Sequence, residues 1–156
     1  MRPEEQKILK RLLNETRVLS LGVLVDGQPH VGLLPFTVEE GYVSALVHAS
    51  QLARHSRGLL PGSAFSVLIH NDDLEVDPIR VPRVTISGTV QHVAQSDSDY
   101  EASRQVYMNR FPSSEQTFFL GDFNLYRLHF EWGRLVSGFA RATTLSPELF
   151  SELAES

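Results

Sequence analysis

The residues from His48 to Gly58 read HASQLARHSRG and place hydroxyl, imidazole and guanidinium groups within a short stretch of chain. We predict a helix over Ser50–Leu60, with its first residue as the N-cap and Pro61 as its stop. Arg54 and Arg57 are three positions apart and would share one face of that helix. A helix N-terminus with hydroxyl and guanidinium groups nearby suits a phosphate. The alternative is an amphipathic helix whose arginines face water.

Other residue types with catalytic or metal-binding chemistry form no recognised motif. None of the six histidines pairs with another at a metal-ligand spacing, so no metal site is predicted; they are His30, His48, His55, His70, His92 and His129. The absence of cysteine excludes a disulfide scaffold, a thiol nucleophile and a thiolate metal site. Glycine-rich phosphate loops, nucleophile elbows and His-Glu-x-x-His motifs are also missing. Motifs alone therefore name no reaction.

Length and charge limit the class of protein. The 156 residues, 42% of them hydrophobic, suit a single domain over 1–156. A balance of 14 Lys+Arg against 19 Asp+Glu gives a net charge of −5, which argues against a general nucleic-acid or acidic-membrane binder. We expect no signal peptide, because Met1–Glu5 is charged and no apolar segment follows it, and no membrane span. A cytoplasmic protein is predicted.

The elements that would position the segment from His48 to Gly58 are mostly strands. Asp26-Gly27 between two aliphatic runs predicts a hairpin, because a tight turn there needs positive φ. Seven strands are predicted, over Val18–Val25, His30–Val38, Tyr42–Val47, Ala64–His70, Arg83–Val93, Leu125–Phe130 and Arg134–Phe139. The last two would form a hairpin around Glu131-Trp132-Gly133. Helices are predicted from Pro3, over Asp97–Arg110 and from Ser146. This order predicts a mainly β protein (β-barrel, α+β) with peripheral helices.

Three stretches together resemble the FMN-binding split β-barrel family of pyridoxamine-5′-phosphate oxidase relatives. They are Gly27–Phe36 (GQPHVGLLPF), Ser50–Gly58 (SQLARHSRG), and the segments Gly121–Leu128 and Gly133–Ala142 (GDFNLYRL and GRLVSGFARA). The resemblance covers about residues 15 to 142 and is strongest to the haem-utilisation branch. It implies the FMN-binding split β-barrel fold.

The resemblance also implies cofactor-binding residues. The strand expected along the isoalloxazine ring contains His30, Val31, Gly32 and Leu33. The positions that match the phosphate site are Ser50, Arg54 and His55, with Arg57 beside them. Arg83 matches a strand position near the pyrimidine side of the ring, where a cation would stabilise negative charge on a reduced flavin. Haem-type members have Asn at the position of Gly58 and often Ser at that of Gly32.

The resemblance favours an FMN-dependent oxidoreductase acting on an unknown small molecule, as a homodimer with the flavin site between the protomers. Vitamin B6 oxidation is not expected, because the Arg-x-His segment of the oxidases proper is missing. One alternative is a haem-binding or haem-utilisation protein on the same fold, with a histidine on iron. Others are a different flavin such as F420 and a cofactor-free dimeric scaffold.

Overall fold

The computed structural model describes residues 1–156 and contains seven β-strands and four α-helices. The strands are β1 (Val18–Val25), β2 (Gln28–Val38), β3 (Ser44–Ser50), β4 (Ala64–His70), β5 (Arg83–Val93), β6 (Phe123–Gly138) and β7 (Arg141–Leu145). The helices are α1 (Pro3–Glu15), α2 (Tyr100–Arg110), α3 (Glu115–Phe119) and α4 (Pro147–Ser151). Single 3₁₀ turns lie at Arg54–Gly58, Pro78–Arg80, Pro112–Ser114 and Glu152–Ala154.

The strands form a closed antiparallel barrel. Their order is β3-β2-β1-β4-β5-β6-β7, and a further pairing of β3 with β6 closes the first six strands while β7 stays outside the ring. Alternate residues of β1 face inward, as the burial of Leu19, Leu21 and Val23 shows, whereas every residue of β3 before Ser50 is buried. One core cluster of 26 residues fills the interior. The prediction of a mainly β barrel with peripheral helices is confirmed.

The first hairpin has the predicted turn. Val25 pairs with Gln28, and both residues between them have positive φ, 52° at Asp26 and 75° at Gly27. This is the backbone of a two-residue turn that matches the twist of the flanking strands. The predicted hairpin is confirmed.

The barrel wall splits beside β2. This strand pairs with β1 from Gln28 to Pro35, but it pairs with β3 only over Phe36–Val38. Beyond that point β3 stays with β6, to which it remains paired as far as Ser50. One edge of β2 from Gln28 to Pro35 therefore has no strand partner. Prolines at both ends of this stretch suit such an edge, because proline has no N–H to donate.

The predicted hairpin at Glu131–Gly133 is wrong, because β6 runs unbroken for 16 residues. Opposite β5, the register shifts between Ser87 and Gly88, which leaves Glu131 as an extra residue in β6. This is a β-bulge, which adds a residue without reversing the chain. A Cβ on Gly88 would collide with the carbonyl oxygen of His129, so the bulge requires glycine there. The chain reverses later, at Ala140, whose φ is 58°.

The predicted helix over Ser50–Leu60 is also wrong. Ser50 is the last residue of β3, and only the 3₁₀ turn Arg54–Gly58 follows. Local hydrogen bonds hold the chain in this form: the Ser50 hydroxyl accepts from the Leu52 N–H at 3.1 Å, and the Ser56 hydroxyl donates to the Ser50 carbonyl at 2.5 Å. Such side-chain bonds compete with helical ones.

The remaining helices follow the sequence with small shifts. Helix α2 begins at Tyr100 rather than at Asp97, whose carboxylate accepts from the Ala94 N–H at 2.8 Å. Ser146 caps α4 as predicted, accepting from the Leu149 N–H at 3.3 Å. No helix is long and apolar enough to cross a bilayer.

Candidate cofactor site

A cavity of about 400 Å³ lies where β2 and β3 separate. Leu34 and Pro35 line it from β2, and His48 and Ser50 line it from β3. The opposite wall comes from α2 and the segment after it, with Tyr107, Phe111, Ser114 and Thr117. The size and the mixture of apolar rings with a few polar groups are typical of small-molecule sites. A cavity of about 420 Å³ between α1 and the end of β4 contains none of the predicted binding residues.

His55 reaches back from the 3₁₀ turn to the wall of the barrel. Its ring covers Gly32 so closely that a Cβ on this glycine would collide with Nδ1. The close approach leaves no room for a side chain at Gly32 unless the imidazole moves. The Nε2 atom of His55 is buried and has no hydrogen-bond partner. Burial lowers the pKa of His55, and the neighbouring His30 lowers it further, so the neutral imidazole is favoured.

His48 forms the other imidazole of the cavity and is only 6% exposed. Its ring stacks on Phe118 with the centroids 3.8 Å apart. Its Nδ1 lies 3.2 Å from the Thr117 hydroxyl oxygen. Burial lowers the pKa of His48 to about 4, so the ring is neutral at pH 7.

Arg54 and Arg57, the two arginines of the segment from His48 to Gly58, differ in their surroundings. Arg57 donates to the Asp26 carboxylate at 2.8 Å and so ties the 3₁₀ turn to the first hairpin. Arg54 is exposed and makes neither a side-chain hydrogen bond nor an ion pair. Its charge is therefore available to an anion beside Ser50 and His55.

Both the sequence and the fold of the chain are similar to those of known proteins. No family model matches the chain. Over 142 residues the chain is 28% identical to the heme oxygenase HutZ of Vibrio cholerae serotype O1. The aligned region covers 88% of this chain and 79% of HutZ. The chain has the split β-barrel fold, which it shares with a protein of the pyridoxine-phosphate-oxidase family from Clostridium acetobutylicum. The similarity to HutZ agrees with the predicted resemblance to the haem-utilisation branch.

Two solved structures show how widely this split β-barrel is shared. A heme binding protein from Mycobacterium smegmatis superposes with a TM-score of 0.83 at 22% identity, over 97% of this chain and 62% of that one. A FAD-binding protein from Mesorhizobium loti superposes with a TM-score of 0.63 at 15% identity, over 82% and 92% of the two chains. These likenesses establish the fold. The split-barrel chain spans less than two thirds of the mycobacterial protein.

The structure brings only some of the predicted site residues together. Ser50 and His55 line the cavity, His30 and Gly32 lie beside His55, and Arg54 adjoins them. By contrast, Val31 and Leu33 point out of the barrel and are 69% and 65% exposed. These two residues belong to the outer surface of the split barrel.

Arg83 also lies on the outer surface, because its neighbours Val84 and Ile86 fill the inner positions of β5. Its guanidinium donates to the Val81 carbonyl at 3.1 Å. It lines a separate cavity of about 380 Å³ beside Leu68, Asp72 and Asp73. Within one copy of the split-barrel chain, Arg83 therefore does not share a cavity with His55.

Sequence reasoning missed four residues that shape the cavity: His48, Tyr107, Phe111 and Thr117. Their signal was weak, because Tyr107, Phe111 and Thr117 lie in α2 or in the segment after it, which the sequence does not connect to β3. A usable signal was the sequence Ala45-Leu46-Val47-His48-Ala49, in which His48 interrupts an otherwise apolar run typical of a fully buried strand. A histidine in such a strand must face packed side chains on either side.

Proposed function

We propose that this protein binds a flavin, and specifically FMN. The binding site is the cavity of about 400 Å³ where β2 and β3 separate, which we call the cleft. The observation that carries the proposal is that the cleft contains Ser50 and His55 of the phosphate-type motif beside the unpaired edge of β2. A free strand edge offers backbone N–H and C=O groups to a planar ring. The aromatic side chains of Tyr107 and Phe111 provide apolar contact.

The polar groups of the cleft suit the phosphate of such a ligand. The orphaned Nε2 of His55 and the hydroxyl of Ser50 offer hydrogen bonds, and Arg54 offers positive charge to a phosphate. Phosphate binding would raise the pKa of His55 again, since an adjacent anion favours imidazolium. A bound flavin supplies hydride or electron transfer, which supports an FMN-dependent oxidoreductase with a small-molecule substrate. A cytoplasmic location stays a prediction.

Replacing Arg54 with alanine tests the phosphate contact. We expect FMN to bind the variant more weakly by about 1.5–3 kcal/mol, the range for a hydrogen bond to a charged group. Riboflavin, which lacks the phosphate, should bind the parent and the variant equally in a fluorescence titration. Arg57→Ala serves as a comparison, and its effect should be smaller because Asp26 already engages that guanidinium. An equal loss of riboflavin binding would show that Arg54 has a structural role.

Haem binding is the second candidate, and the two buried imidazoles favour it. Both His48 and His55 have pKa values lowered by burial, and the neutral ring is the form that ligates iron. Absorbance after reconstitution separates the candidates. FMN gives paired bands in the blue and near-ultraviolet, whereas haem gives one intense band in the violet. Neither spectrum is expected of a cofactor-free scaffold.

We propose that a second copy of the chain packs on the outer face of the barrel. Leu24, Val31 and Leu33 are 61%, 69% and 65% exposed on adjoining strands, and Val18 and Leu68 extend the apolar area. Such a contiguous apolar surface is typical of an interface. Arg83 lies on the same face, so any contact of Arg83 with a flavin would cross this interface.

Replacing Leu33 with aspartate tests the homodimer. A carboxylate at the centre of an apolar interface would be buried without a counter-charge, so we expect light scattering to change from dimer to monomer mass. Val106→Asp on α2 provides a matched control, because Val106 is 42% exposed on a helix outside that face. A parent protein of monomer mass at micromolar concentration would refute the homodimer.

A further inference from the structure

Only one ring nitrogen of His48, Nδ1, has a hydrogen-bond partner within the protein. The Thr117 hydroxyl donates its proton to the Ser114 carbonyl at 2.8 Å. A hydroxyl has a single proton, so the same oxygen can only accept from His48 Nδ1, which lies 3.2 Å away. The ring therefore carries its proton on Nδ1. Its Nε2 has a lone pair and makes no hydrogen bond within the protein.

The surroundings keep the ring in this form. Phe118 stacks on one face at 3.8 Å and Tyr107 meets the ring edge-on at 5.7 Å, which fixes its plane. His48 is 94% buried, and it borders the cavity. The Nε2 atom is not fully buried, in contrast to Nε2 of His55, and is therefore open to a molecule that occupies the cavity. Its lone pair is available to a hydrogen-bond donor on such a ligand.

We infer that His48 Nε2 is a specificity-determining acceptor that binds an N–H donor on the ring of the bound molecule. For the proposed flavin ligand, on which this inference rests, the donor is the imide N3–H of the pyrimidine ring. A carbonyl or phosphate oxygen cannot take this position, since it would meet a lone pair with its own. His48 therefore selects which edge of a ring enters the cleft.

The first test needs no ligand. Long-range ¹H–¹⁵N NMR at pH 7 should show His48 as a single tautomer with the proton on Nδ1. Thr117→Val keeps the shape of the side chain but removes the acceptor, so this variant should show the Nε2–H form as well. A parent spectrum with the proton on Nε2 would overturn the inference.

The second test compares FMN with N3-methyl-FMN, which has no imide proton. We expect the parent to bind FMN at least about tenfold more tightly than the methylated analogue. In His48→Ala, which removes the acceptor and makes room for the methyl group, the two affinities should differ by less than about threefold. His48→Gln, whose amide oxygen can accept, should keep part of the preference.

The outcomes separate this inference from the proposed function. If the parent binds FMN and its methylated analogue equally, the role of His48 is refuted while flavin binding stands. If the parent binds no FMN, the proposed function and the assignment fail together. If His48→Ala does not fold, as judged by circular dichroism, the glutamine variant and the NMR spectrum of the parent decide the question.

Discussion

Replacing Arg127 with methionine should lower the free energy of unfolding by about 3–5 kcal/mol, the range for breaking a buried ion pair from one side. The guanidinium donates to both carboxylate oxygens of Glu39, at 2.6 and 3.0 Å, and to Asp99 at 2.9 Å. The side chains of Arg127 and Glu39 are only 12% and 18% exposed. Without Arg127, Glu39 would stay largely buried with no counter-charge. Urea denaturation monitored by circular dichroism measures the change.

Two further variants separate burial from simple loss of charge. Arg104→Met removes the ion pair with Glu101, which is 73% exposed, and should cost less than about 1 kcal/mol. The double variant Arg127→Met, Glu39→Met should recover most of the lost stability, because no charge is then buried alone. If Arg127→Met lowered the free energy of unfolding no more than Arg104→Met, the buried ion pairs of Arg127 would stabilise the fold no more than an exposed pair does.

The same network connects the barrel to the cover of the cofactor cleft. Arg127 on β6 donates to the Ser103 hydroxyl at 2.8 Å and to Asp99, the residue before α2. Helix α2 and its C-cap residue contribute Tyr107 and Phe111 to the cavity wall. Variants that loosen Arg127 should therefore also weaken ligand binding, although Arg127 itself does not line the cavity. This effect would identify Arg127 as a positioning residue.

The parts of the fold that could be predicted from the sequence are those set by local geometry. Asp26-Gly27 specifies a turn of positive φ by itself, and Ser146 followed by Pro147 specifies a helix start. Alternation also separated the two faces of β5 correctly, with Val84 on one and Arg83 on the other. Alternation cannot say which partner covers an outer face. The functional role given to Arg83 by resemblance is therefore still a prediction.

The errors arose where tertiary contacts determine the backbone. Glu131-Trp132-Gly133 has the composition of a turn, but its β5 partner holds the chain extended and absorbs Glu131 in a bulge. Ser50 has the chemistry of a helix cap, yet its pairing with Phe123 keeps it in β3. His48 was missed because its role depends on Thr117, which is 69 residues away in the chain.

Acidification from pH 7 to pH 4 should destabilise the protein through His48. Its pKa is lowered from 6.5 to about 4 by burial, so between these values the unfolded chain binds a proton that the folded chain does not. The free energy of unfolding is therefore unaffected by His48 above pH 6.5 and falls as the pH decreases toward 4. The shift corresponds to about 3 kcal/mol as an upper bound, and nearer 2 kcal/mol once partial solvation is considered. The lowered pKa of His55 acts in the same direction.

The His48→Gln variant isolates this contribution, because glutamine does not titrate. Its unfolding free energy should fall less steeply than that of the parent between pH 6.5 and 4. Glu5 titrates lower, since its hydrogen bonds with Arg2 and Thr143 hold its pKa at about 2. Loss of stability from Glu5 therefore begins only below pH 4.5 and should be the same in both proteins. If the two pH profiles were parallel above pH 4.5, His48 would be protonated equally in the folded and unfolded chains, and a neutral imidazole in the cleft would be refuted.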